Sequence, residues 1–250
     1  MRLADQQLNQ GNAFFRNRSY IPLILFPFAF LVTRQSIFQH PEWFQHAAIN
    51  LPEMACLALC GFGLFIRIVT VGFTPANTSG RNTAQQVADE LNTTGIYSIV
   101  RHPLYLGNYF MWLGIAVLSA NILFLFVFSL LYFIFYERIM LAEEDYLASK
   151  FGDTFIQWSQ QAPTIVPAPS LWKSCELHFS WKKVLAKEKN GILAVFTLLA
   201  VFQLWVDFVQ SGTLRLPHGW TLVGLGLTAL LYIVLKLLKY NTQLLSEKNR

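Results

Sequence analysis

Charge is what this sequence lacks. Only 13% of its 250 residues are charged, about half of the roughly 25% carried by a soluble globular domain. An ordinary water-soluble fold is thereby excluded. Cysteine is scarce too: there are 3, with Cys56 and Cys60 inside an apolar block and Cys175 in a polar stretch. No CxxC and no His/Cys ligand spacing occurs, so neither a disulfide framework nor a metal site is expected. A cleavable leader is not expected either. The first 19 residues are polar, and the first apolar run, near Tyr20, has no small-residue cleavage site after it.

What the chain has instead is 54% hydrophobic residues, 22 of them Phe. They come in blocks and do not alternate, which favours lipid-facing helices over an outer-membrane barrel. Since about 20 apolar residues cross the hydrocarbon core, the blocks predict an all-α, polytopic transmembrane bundle of about six spans. These are residues 20–38, 51–73, 103–119, 122–136, 191–209 and 220–240. Pro22, Pro27 and Arg34 make the first the weakest. Only Ala120 and Asn121 separate the third from the fourth, so these two form a helical hairpin.

Basic residues are distributed unevenly along this scheme. The N-terminus, the loops after spans two and four and the C-terminal end, together with Arg67 near the same end of span two, hold 17 of the 19 Lys and Arg residues, and Arg34 and Arg215 are the exceptions. The positive-inside rule then places both termini and both long loops in the cytosol. The net charge of +5 is explained by this flanking of apolar spans and by attraction to lipid head groups, so no nucleic-acid partner is expected. The chain divides into a segment with the first span (1–50), a core (51–170), a basic linker (171–190) and a two-span extension (191–250). The basic run Lys182, Lys183, Lys187 and Lys189 reads equally as an amphipathic surface segment. Glu53 and Asp207 read as interfacial groups.

Chemistry concentrates at the ends of the hairpin. Arg101, His102 and Pro103 stand at the mouth of span three. Pro is tolerated in a first helical turn, and the free N–H groups there favour an anion. Tyr105 offers a flat face with a polar tip, and Gly107 permits close approach. The hairpin returns Glu143 and Glu144 to the same face. A zwitterionic ligand carrying a carboxylate and an amine fits such a pairing. By themselves these groups also read as interfacial anchors and a solvated acidic face. Arg67, an intramembrane cation, Arg81, in the polar loop Ser79-Gly80-Arg81-Asn82, and Arg138 suit a carboxylate or phosphate, because the guanidinium fork binds two oxygens. For Arg67 snorkelling to the interface is the alternative.

The pattern Gly-x-Tyr-x-x-x-Arg-His-Pro-x-Tyr-x-Gly over Gly95 to Gly107, followed by Glu-Glu-x-x-Leu-x-x-x-Phe-Gly over Glu143 to Gly152, resembles the isoprenylcysteine carboxyl methyltransferase and phospholipid methyltransferase family. The resemblance covers roughly residues 60–170. It implies a multi-pass membrane enzyme using S-adenosylmethionine, with Arg101, His102, Tyr105, Leu106, Gly107, Glu143 and Glu144 in the cofactor pocket and Pro163 and Pro167 closing it. Phe155 and Trp158 stand where the family often has Tyr. The implied acceptor is an anionic group of a membrane lipid or lipidated substrate, such as a lipid A phosphate or a prenylcysteine carboxylate, and the implied setting is the bacterial inner membrane. A membrane reductase using NADPH carries a similar Arg-His-Pro-x-Tyr-x-Gly stretch, and a non-catalytic scaffold or transporter is the third alternative. Nothing in the sequence chooses an oligomeric state.

Overall fold

The structure is a computed structural model that describes residues 2–18, 20–44, 49–75, 78, 86–242 and 244–245. Arg81 lies outside the described residues. The described chain is helical: α1 (Leu3–Asn17), α2 (Phe26–Gln39, led in by a 3-10 turn Ile21–Leu25), α3 (Leu51–Gly72), α4 (Ile96–Ile99), α5 (Pro103–Val117), α6 (Ile122–Phe151), α7 (Asp153–Gln161), α8 (Trp181–Ser211) and α9 (Gly219–Asn241). Among the described residues, five segments are long and apolar enough to cross a membrane: Ile21–Gln39, Leu51–Gly72, Ile122–Phe151, Trp181–Ser211 and Gly219–Asn241. The third expected span is α5, whose 15 residues rise only about 22 Å at 1.5 Å each. It is a shorter sixth helix inside a polytopic bundle.

Local chemistry sets these boundaries. Asn50 and Glu53 form a capping box at the start of α3. Asn121 accepts from the Phe124 N–H to cap α6, and Ser180 accepts from the Lys183 N–H to cap α8, each satisfying a helical N–H that has no partner within its helix. Gly152, at φ 54°, turns the chain between α6 and α7, a conformation that glycine adopts without steric cost.

α3 and α5 run antiparallel and almost touch. A Cβ on Gly63 would stand 2.5 Å from the Gly107 carbonyl oxygen, and one on Gly114 would stand 2.7 Å from Cys60 Sγ. Small residues let helix backbones approach within a membrane, where packing replaces the hydrophobic drive. Cys60 Sγ also donates to the Met111 carbonyl at 3.2 Å, and both Cys56 and Cys60 are free thiols. α1, formed by the polar N-terminus, lies on α6, with Gly11 against the Arg138 backbone and Ala142. An aromatic core joins α2 to α8 through Phe30 and Phe202, 4.9 Å apart.

The C-terminal part differs from expectation. α8 begins at Trp181, not near Gly191, so the basic run 182–189 forms its first turns, with Lys183, Glu188 and Lys189 buried. Lys183 Nζ donates to the carbonyls of Thr74 and Pro75, each at 2.6 Å, and to Thr74 Oγ1 at 3.0 Å. It thereby satisfies acceptors just beyond the end of α3. A head group holding three acceptors 109 and 108 residues back in the chain fixes α8 against α3. Glu53 and Asp207 are also buried, and Glu53 Oε1 accepts from Gln203 Nε2 at 2.7 Å.

Candidate active site

α5 and α6 bring the two motifs together at one end of the hairpin. Glu144 Oε2 accepts from Arg101 Nη1 at 2.8 Å, and Glu144 Oε1 lies 2.8 Å from His102 Nε2. Glu143 Oε2 stands 3.7 Å from His102 Nδ1. A single carboxylate thus holds both basic groups, and charge-assisted bonds of this kind are stronger than neutral ones.

The segment after α7 fastens this mouth from outside. Arg101 N–H donates to the Pro163 carbonyl at 2.8 Å, His102 N–H to the Thr164 carbonyl at 3.3 Å and Ala168 N–H to the Ile99 carbonyl at 2.9 Å. Arg101 Nη2 also donates to Thr164 Oγ1. Further along, Gly95 N–H donates to the Lys173 carbonyl at 2.8 Å. Residues 163–173 therefore form a strap, and its backbone carbonyls receive N–H groups that the start of α5 cannot use internally.

Beside Arg101 and His102 lies a cavity of about 600 Å³, within the range typical of small-molecule sites. Arg101, His102, Tyr105, Glu143 and Glu144 line it. So do Tyr97, Phe155 and Trp158 on one side and Arg67, Asn108 and Glu188 on another. Phe15 and Arg18, in and just after α1, close a further part of the wall. The inner end is apolar, with Met111, Trp112 and Ile115 of α5 facing Ala194, Val195 and Leu198 of α8. Burial, with Glu143 adding, raises the Tyr97 phenol above its ordinary range and keeps it protonated. Among the described residues, Trp158 Nε1, Arg101 Nε and Gln86 Oε1 are buried without a hydrogen-bond partner. Such groups are costly when left unmet, and all three belong to residues of the cavity wall.

Other expected site residues take different places. Leu106 and Gly107 do not line the cavity. A Cβ on Gly107 would lie 2.6 Å from Arg67 Cγ, so this glycine serves the contact between α3 and α5. Pro163 acts through its carbonyl in the strap, and Pro167 is exposed. Arg138 is turned towards α1, where Nε donates to Gln10 Oε1 at 2.9 Å. Arg67 does not snorkel: its Nε and Nη2 bind Glu188 at 2.7 and 2.8 Å, and Nη1 donates to Asn108. Sequence reasoning missed Glu188 and Asn108. The available signal was that a cation within a span requires a partner.

These features define a polytopic membrane protein with a mixed-charge pocket that opens at one end of a helical hairpin and narrows into an apolar floor. Residues 53–154 match the phospholipid methyltransferase family. It is 36% identical over 96 residues to the fission yeast (Schizosaccharomyces pombe) protein-S-isoprenylcysteine O-methyltransferase, covering 36% of this chain and 40% of the relative. It is 26% identical over 161 residues to the Saccharomyces cerevisiae protein of the same name, covering 64% and 65%. The cobalt-zinc-cadmium resistance protein CzcN of Cupriavidus metallidurans is 27% identical over 184 residues, covering 72% and 78%. The first of these alignments thus spans well under half of the relative's length. No solved structure gives a significant match. Among the described residues no group of three or more His, Cys, Asp or Glu is arranged to hold a metal ion.

Proposed function

We propose that this chain is an integral membrane methyltransferase. It moves a methyl group from S-adenosylmethionine to an anionic oxygen, carboxylate or phosphate, of a lipid or lipidated substrate. The observation that carries the reading is the Glu144 carboxylate holding Arg101 and His102 at the mouth of a cavity whose opposite end is apolar. A polar donor and a hydrocarbon-bearing acceptor need such a two-sided space.

The wall residues fit the donor. The Glu143 and Glu144 carboxylates suit its ammonium group, and the spare Arg101 Nε suits its carboxylate. Tyr97, Phe155 and Trp158 offer aromatic faces for a purine, with the unpartnered Trp158 Nε1 as a donor at its edge. When bound, S-adenosylmethionine supplies an electrophilic methyl on a sulfonium that departs as a neutral thioether. The protein's share of the catalysis is alignment and exclusion of water. A carboxylate or phosphate acceptor is ionised at neutral pH, so no residue has to remove a proton. His102 and Glu144 therefore orient the site, and Arg67 presents N–H donors to the acceptor oxygen.

A lipid A phosphate and a prenylcysteine carboxylate are the leading acceptors. The charge asymmetry of the loops supports a mouth on the cytosolic face with both termini inside, the side on which S-adenosylmethionine is made, and the setting we propose is a bacterial inner membrane. The purified chain in lipid nanodiscs, given methyl-labelled S-adenosylmethionine, should label a lipid fraction or an S-farnesylcysteine. S-adenosylhomocysteine should bind and NADPH should not. NADPH binding without methyl transfer would support the reductase reading instead.

A further inference from the structure

The family-matched segment ends at residue 154, yet one wall of the cavity comes from α8. Glu188 is the polar centre of that wall, with a side chain only 1% exposed. It binds the Arg67 guanidinium through two nearly parallel contacts, Nε to Oε2 at 2.7 Å and Nη2 to Oε1 at 2.8 Å. Asn108 Oδ1 takes a third N–H from Nη1. Arginine has five N–H donors. Three are committed here, which leaves one on Nη1 and one on Nη2. Arg67, Asn108 and Glu188 all line the cavity, next to its apolar floor.

We propose that Glu188 is a positioning residue for the methyl acceptor: it fixes the Arg67 guanidinium and acts as its resident counter-ion, so that the acceptor oxygen is recognised by directed N–H donors and not by net positive charge. This inference rests on the methyltransferase reading. Its physical basis is the change in charge that the reaction brings. Methylating a carboxylate or phosphate oxygen removes one negative charge from the acceptor. If a carboxylate acceptor were the only partner of Arg67, the neutral ester product would leave an uncompensated guanidinium in a nearly dry site, which is strongly unfavourable, and a phosphate acceptor would lose half of its charge there. With Glu188 in place the pair is balanced before binding and after transfer. A carboxylic ester then keeps no ionic hold, a methylated phosphate monoester carries one charge fewer than its precursor, and the product can leave. The two-point contact also sets the plane of the guanidinium, and so the line along which the acceptor oxygen points. The C-terminal helices thereby become part of the site.

The test uses the full chain in nanodiscs, with vesicles of total bacterial lipid and S-farnesylcysteine as acceptors. Glu188→Gln should lower kcat on the order of 100-fold through misalignment, with a smaller change in acceptor KM and an unchanged Kd for S-adenosylhomocysteine. Glu188→Asp, which keeps the charge, should recover part of the lost kcat. Wild-type kcat in Glu188→Gln with normal S-adenosylhomocysteine binding overturns the proposal. Should Glu188→Gln lose that binding, Glu188→Asp decides: reduced kcat with normal Kd supports the proposal, and wild-type kcat overturns it. If the unmodified chain labels neither acceptor, the methyltransferase reading falls and this inference falls with it. Labelling by the unmodified chain with no effect of the variants sinks the inference alone.

Discussion

Glu144 and His102 are 42 residues apart in the chain and 2.8 Å apart in space, Oε1 to Nε2. The same carboxylate binds Arg101 through its other oxygen. This contact joins the two motifs, one at the start of α5 and the other in α6. Glu144→Gln removes the charge that orders both basic groups. Affinity for S-adenosylhomocysteine should fall about 10- to 100-fold, the equivalent of hydrogen bonds to charged groups worth roughly 1.5–3 kcal/mol. Calorimetric titration of the variant in detergent checks this.

Trp158 gives a prediction of the opposite sign for stability. Its Nε1 is buried and has no partner among the described residues. Trp158→Phe deletes that donor while keeping a ring. The melting temperature should stay the same or rise, because an unmet polar group is removed. Donor-side affinity should fall about 3- to 10-fold, in line with one neutral hydrogen bond of roughly 0.5–1.5 kcal/mol. Thermal melting and titration of the same sample separate the two effects.

Gly107 and Gly61 form a matched pair. A Cβ at Gly107 meets Arg67 Cγ at 2.6 Å and the Gly63 carbonyl at 2.9 Å, whereas one at Gly61 meets nothing within 4 Å. Gly107→Ala should destabilise by about 1–3 kcal/mol, as overpacking does, and should displace Arg67 with loss of transfer. Gly61→Ala should be neutral or slightly stabilising through helix propensity. Melting curves and labelled transfer for both variants check the contrast.

Arg138 tests the division between the cavity wall and the outer face of α6. Because its guanidinium bonds Gln10 and the Ile134 carbonyl, Arg138→Ala should leave the transfer rate unchanged. It should loosen α1 at a cost of about 1 kcal/mol. Faster proteolysis within residues 3–17 at normal activity is the expected result. A drop in kcat with normal S-adenosylhomocysteine binding would return Arg138 to the acceptor site.

The sequence by itself determined the membrane class, the helical hairpin and the grouping of Arg101, His102, Tyr105, Glu143 and Glu144. Each of these is written in short-range signals: apolar blocks long enough to cross a bilayer, a two-residue break between two of them, and polar groups at helix ends. A hairpin brings its own ends together whatever else the chain does, so the contact between His102 and Glu144 followed from topology alone. Only the tertiary structure decided which side chains face inward. The helical phase of Gly107 sets it against Gly63 at the interface of α3 and α5 and outside the cavity lining. Packing of α1 drew Arg138 outward. The pairing of Arg67 with Glu188 spans 121 residues, and a counter-ion at that separation is chosen by how helices dock, which no local pattern encodes. The early start of α8 was illegible for the same reason. Its basic first turns read as polar linker until Lys183 finds the carbonyls of Thr74 and Pro75, and those acceptors exist only once α3 lies beside it.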